Sequence, residues 1–91
     1  MTVEIYSKPG CSLCDEAKAV LLSVRERIPF ELVEVDIRSD RALFDRYKFD
    51  IPVIVVEGER AFHHRVDESA LETLLRQKRA GTSDANRGAG Q

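Results

Sequence analysis

The 91-residue chain has only two cysteines, no apolar run approaching 18 residues, no strong excess of either charge and no internal repeat. Each shortage excludes something. A single cysteine pair falls short of the four ligands of a structural zinc centre. Fourteen basic side chains against 16 acidic ones leave a formal charge of −2, which gives no electrostatic case for binding nucleic acid. Without a long apolar run there is no membrane span, and the N-terminus lacks the charged, apolar and cleavage regions of a signal peptide. A cytoplasmic monomer of one domain, with a modest core and no tightly bound cofactor or metal, is the expectation.

The two cysteines are three residues apart, in Cys11-Ser12-Leu13-Cys14, where an extended segment gives way to a helical one. Val3-Glu4-Ile5-Tyr6 alternates as a short strand does, and Ser7-Lys8-Pro9-Gly10 reads as a turn. Ala17, Val20, Leu21, Val24 and Ile28 then recur at helical spacing, so a helix is expected from about Ser12 to Arg27. Cys11 falls at the first turn, where unpaired backbone N–H groups and the positive end of the helix dipole favour a thiolate over a thiol. Lys8 adds positive charge from the preceding turn, whereas Asp15 and Glu16 oppose it if they approach the sulfur. Cys14 faces inward and is the better resolving thiol. The pattern suits a reversible dithiol/disulfide couple.

Two plainer readings compete. In one, the cysteines are buried and inert, as small-core cysteines often are. In the other, they are half of a zinc site completed by His63 and His64, a reading opposed by the fact that adjacent residues of a strand point to opposite faces.

Further along, Phe30 to Ile37 suits a second strand, parallel to the first through a right-handed crossover. Ser39 or Asp40 can cap a short helix through about Tyr47. Ile51 to Val56 forms a third strand with Pro52 at its mouth, and Glu57-Gly58-Glu59 turns into a fourth, Arg60 to His64. His63 and His64 read as surface residues of that short edge strand. Val66 and Leu71 bracket Asp67 as a hydrophobic staple around an N-cap, which opens a last helix ending at Gly81. Residues 1–79 therefore read as the folded domain and 80–91, polar and glycine-rich, as a disordered tail.

The α/β order βαβαββα, with the cysteine pair after the first strand and Ile51-Pro52-Val53 opening the third, resembles the thioredoxin superfamily and its glutaredoxin branch. Lys8-Pro9-Gly10-Cys11-Ser12-Leu13-Cys14 and Asp67-Glu68 are its other anchors. The resemblance implies a four-stranded mixed sheet with helices on both faces and a cis Pro52 beside the cysteines. It also implies thiol-disulfide oxidoreductase activity, with Cys11 as the attacking thiol, Cys14 resolving, and Val53 backbone groups pairing with a peptide or glutathione. A cis bond would place the Ile51 carbonyl and the Val53 N–H beside Cys11, along one extended strand of substrate.

Typical glutaredoxins carry Cys-Pro-Tyr-Cys and a Gly-Gly pair before the Asp. Here Ser12-Leu13 fills the first motif, and His64-Arg65-Val66 precedes Asp67. The pattern is similar to small bacterial glutaredoxin-like proteins with a Cys-x-Leu-Cys centre. Leu13 leaves an apolar lip beside the sulfur, and Val66 replaces a permissive glycine with a β-branched residue. A protein disulfide or dithiol is therefore the expected substrate, with glutathione or a thioredoxin-type reductase as the candidate reductant. Arg65 or Lys8, with the N-terminus of the last helix at Asp67, can hold a glutathione carboxylate. From a different class, a non-enzymatic adaptor would use the surface around Pro52 and Leu13 to hold a partner peptide.

Overall fold

The computed structural model describes residues 1–81. In chain order the elements are β1 (Thr2–Ser7), α1 (Ser12–Arg25), β2 (Glu31–Asp36), a 3₁₀ turn (Ile37–Ser39), α2 (Arg41–Tyr47), β3 (Val53–Val56), β4 (Glu59–His63) and α3 (Glu68–Gly81). The sheet runs β2-β1-β3-β4. β1 and β2 are parallel, from Thr2 opposite Glu31 to Ser7 opposite Asp36. β1 and β3 are antiparallel, as are β3 and β4. This is the mixed four-stranded sheet expected from the motif order.

Both faces of the sheet are covered. Val3 and Ile5 of β1, with Ile54 and Val56 of β3, pack with Ala17, Leu21 and Val24 of α1 and Leu71 and Leu75 of α3. Val53 and Val55 point the other way and pack with Ile37, Tyr47 and Ile51, in a second cluster that Cys14 joins from the first turn of α1. All four β3 residues are buried, so the central strand reads as an unbroken apolar run with no solvent face.

Element ends differ from the periodicity for local reasons. β2 stops at Asp36 because its carboxylate accepts from the Arg38 N–H at 2.9 Å and starts the 3₁₀ turn, drawing Ile37 out of the strand. β3 starts at Val53, two residues late. Pro52 has no N–H to donate, and the Ile51 N–H donates to the Tyr47 carbonyl at 3.1 Å. The β3–β4 turn is tighter than expected: Glu57 (φ 50°) and Gly58 (φ 82°) both take positive φ, leaving Val56 opposite Glu59. That is the two-residue hairpin geometry whose twist matches the strands.

β4 carries a bulge. Arg60 pairs with Val55 and Phe62 with Ile54, which leaves Ala61 as the extra residue, and Ala61 and Phe62 both pack against the first core. Asp67 caps α3 as read, with its carboxylate accepting from Ala70 N–H at 3.3 Å and its carbonyl accepting from Leu71 N–H at 2.9 Å. Ala80 and Gly81, assigned to the tail by composition, belong to α3. The rest of that tail, 82–91, lies outside the described residues. Among the described residues no helix is long and apolar enough to cross a membrane.

Candidate active site

The Pro9-Gly10 turn, with Gly10 at φ 80°, delivers Cys11 in an extended conformation (φ −98°, ψ 108°), so it stands as the N-cap of α1 just before the first turn. Its sulfur takes over one of the unpaired N–H groups of the helix end: Cys11 Sγ accepts from the Cys14 N–H at 3.2 Å. Cys11 is half-buried and Cys14 is 5 % exposed; both are free thiols. One turn of helix thus separates an accessible sulfur from a covered one.

The two thiols have different surroundings. Cys14 lies among Ile37, Tyr47, Ile51, Val53 and Val55, and burial, reinforced by its hydrogen bond with Cys11, pushes it up to about 12. The charges of Cys11 and Asp15 act the same way, while the backbone N–H of Lys8 opposes them. Tyr6 meets Tyr47 at a 45° tilt with ring centroids 5.1 Å apart, in the same cluster.

The Ile51–Pro52 peptide is cis. Pro52 is fully buried and its carbonyl accepts from the His64 N–H at 2.9 Å. Val53 sits inside β3 between Tyr6 of β1 and His63 of β4. Its backbone is therefore flanked by strands on both sides, which corrects the expectation that Val53 is open to a substrate. The Ile51 carbonyl accepts no hydrogen bond among the described residues.

Lys8 and Arg65, read as alternative clamps, stand at different cavities of about 300 Å³ each. Lys8 lines one with Cys14, Asp15, Lys18, Glu34 and Asp36. Arg65 lines the other with Leu13, Glu16, Val66 and Asp67. Arg65 Nη1 is 4.0 Å from Glu16 Oε1, and its side chain is 79 % exposed.

The histidines break the alternation expected of them. His64 leaves β4 at φ 66°, so the adjacent rings meet edge to face at 4.8 Å instead of pointing apart. His64 Nε2 reaches the Phe49 carbonyl at 2.8 Å. Even so, no group of three His, Cys, Asp or Glu side chains among the described residues is placed to hold a metal ion. Phe49, 83 % exposed just before the Ile51–Pro52 peptide, was not singled out from sequence. Its one signal there is an aromatic residue in a charged loop.

The sequence model of the Glutaredoxin-like domain family (DUF836) matches residues 2–76. The chain belongs to this family. It is 33 % identical over 88 residues to the "Glutaredoxin-like protein YDR286C homolog" of Dictyostelium discoideum, covering 86 % of this chain and 82 % of that protein. Among solved structures, protein XcR50 from X. campestris superposes with a TM-score of 0.70 at 27 % identity, covering 81 % of this chain and 95 % of that one. Thioredoxin 1 from Thermosipho africanus superposes with a TM-score of 0.67 at 10 % identity, covering 92 % of this chain and all of that one. At that identity the likeness concerns the fold alone. The glutaredoxin-like assignment rests on the family match, and the fold is that of the thioredoxins.

Proposed function

We propose that this glutaredoxin-like domain is a thiol-disulfide oxidoreductase that works on protein disulfides, with Cys11 as the nucleophile and Cys14 as the resolving thiol. The observation that carries the reading is the asymmetry of the pair: an accessible sulfur at a helix N-cap, covered from behind by a buried thiol one turn on. Cys11 thiolate attacks one sulfur of the substrate disulfide, forming a mixed disulfide and releasing a substrate thiolate that takes up a proton. Cys14 then gives its proton to solvent and attacks Cys11 Sγ. The second substrate thiolate leaves and is protonated, so two electrons have passed to the substrate and the domain holds a Cys11–Cys14 disulfide. A thiol or dithiol reductant, glutathione or a thioredoxin-type reductase, returns it to the dithiol state in the reducing setting of a cytoplasm. The Ile51 carbonyl is the acceptor proposed for a substrate backbone N–H, in place of Val53.

The test is to mix the reduced protein with a protein disulfide. Loss of two hydrogens by mass and the appearance of substrate thiols are expected. A folded protein whose Cys11 resists a thiol alkylator near neutral pH would overturn the reading, and an adaptor would turn over neither protein disulfides nor glutathione mixed disulfides.

The covered thiol sets the pH response. Cys14, pushed up to about 12, is almost wholly protonated at neutral pH, and its reactive fraction rises about tenfold per pH unit well below that value. In a mixed disulfide Cys11 no longer contributes a thiol or a charge, but burial, the largest cause, still holds Cys14 up, so release of a preformed mixed disulfide from Cys11 should accelerate steadily from pH 7 to pH 9. Stopped-flow measurement of the released thiol checks this, and a rate that levels off below pH 8 contradicts it.

A further inference from the structure

A groove of about 300 Å³ runs from Leu13, two residues beyond Cys11, between α1 and the segment that joins β4 to α3. Leu13, Val20 and Val66 give it an aliphatic lining over Ala17. Its far wall begins at His64, whose N–H is bonded to the Pro52 carbonyl and whose ring reaches Phe49. The groove thus begins one half-turn of helix beyond the reactive cysteine and ends at the residue bonded to Pro52.

Its polar rim is unsuited to an anion. Glu16 and Asp67 set two carboxylates against the single guanidinium of Arg65, and Glu16 already stands 4.0 Å from that guanidinium. At the N-terminus of α3, which offers N–H groups to an acid, the Asp67 carboxylate already accepts from the Ala70 N–H and places its own negative charge where that acid would sit. An apolar floor with an acid-weighted rim is complementary to a neutral aliphatic side chain and repels a carboxylate.

We infer that this groove is a specificity subsite that seats an aliphatic side chain flanking the substrate cysteine of an extended protein segment, and that it disfavours an acidic residue there. The inference rests on the oxidoreductase reading and names its substrate class. Glutathione, with two carboxylates, falls at the disfavoured end. A protein cysteine next to leucine, isoleucine or valine falls at the favoured end.

The experiment measures the second-order rate of attack by the reduced, full-length protein on mixed disulfides of short peptides with a chromogenic thiol. The peptides differ only in carrying Leu, Gly or Glu beside the cysteine, and a small neutral disulfide serves as the reference. Leu is expected to exceed Gly by about tenfold, the value of partly burying an aliphatic side chain, and Glu is expected to fall severalfold below Gly. High salt should narrow the Gly-to-Glu gap and leave the Leu advantage in place. Leu13→Ser and Val66→Ser should each reduce the Leu-to-Gly ratio, and Glu16→Gln should reduce the Gly-to-Glu ratio. Equal rates on all three peptides, or a preference for Glu or for a glutathione mixed disulfide, would overturn the subsite while leaving the oxidoreductase reading in place if the small disulfide is still attacked. Failure to attack the small disulfide would remove both.

Discussion

Cys11→Ser is expected to abolish reduction of a protein disulfide, by a thousandfold or more in rate, because a hydroxyl at the helix N-cap keeps the cap and loses the nucleophile. Serine accepts the Cys14 N–H as the sulfur does at 3.2 Å, so the fold should survive and circular dichroism and the unfolding midpoint should stay close to wild type. Cys14→Ser should behave differently. The first attack remains, the second cannot follow, and the substrate accumulates as a mixed disulfide on Cys11, visible by non-reducing electrophoresis and intact mass. The opposite pattern, with trapping on Cys14 in the Cys11 variant, would reverse the two roles. It would also require the sulfur that is 5 % exposed to meet a protein substrate before the half-buried one does.

The largest expected effect on stability lies away from the thiols. Leu21 of α1 is fully buried in the core formed with β1, β3 and α3, and Leu21→Ala removes its aliphatic contacts while leaving a cavity. The cost should be about 2–5 kcal/mol, a large part of the ~5–15 kcal/mol available to a small domain. Urea or thermal unfolding measures it, with a thermal midpoint lowered by roughly 10–40 °C in a domain of this size. A loss below about 1 kcal/mol would mean that the core closes around the missing side chain. At a temperature where this variant stays folded, attack by Cys11 should be unaffected, since Leu21 lies about two turns further along α1 than Cys14 and belongs to a different core cluster.

Much of this architecture was legible because local signals agreed with one another. The change from period two to helical spacing at Pro9-Gly10 located the β1–α1 junction, and with it the accessible and covered positions of the cysteine pair. Asp67 could be read as a cap because a short acidic side chain between Val66 and Leu71 has one good local use. β3 was harder to place. A run in which Ile54 and Val56 face one core and Val53 and Val55 the other has no alternation from which to read its faces, so its edges and partners came only with the sheet.

Three other features left little trace in the residue pattern. The bulge at Ala61 depends on the pairing with Ile54 and Val55. The positive φ of His64 is uncommon for a residue other than glycine and is held by bonds to Pro52 and Phe49, which lie 12 and 15 residues away in the chain. The separation of Lys8 from Arg65 is a matter of which side of α1 each loop passes, and side-chain chemistry alone treats them as interchangeable.

His64 is also a buckle. A carbonyl oxygen can only accept, so the 2.8 Å approach of Nε2 to the Phe49 carbonyl requires that nitrogen to carry hydrogen. The same residue's backbone N–H holds the Pro52 carbonyl at 2.9 Å. One side chain and one peptide group therefore fasten the chain on both flanks of the Ile51–Pro52 peptide to the end of β4, so that this segment is tied across the sheet as well as along the chain.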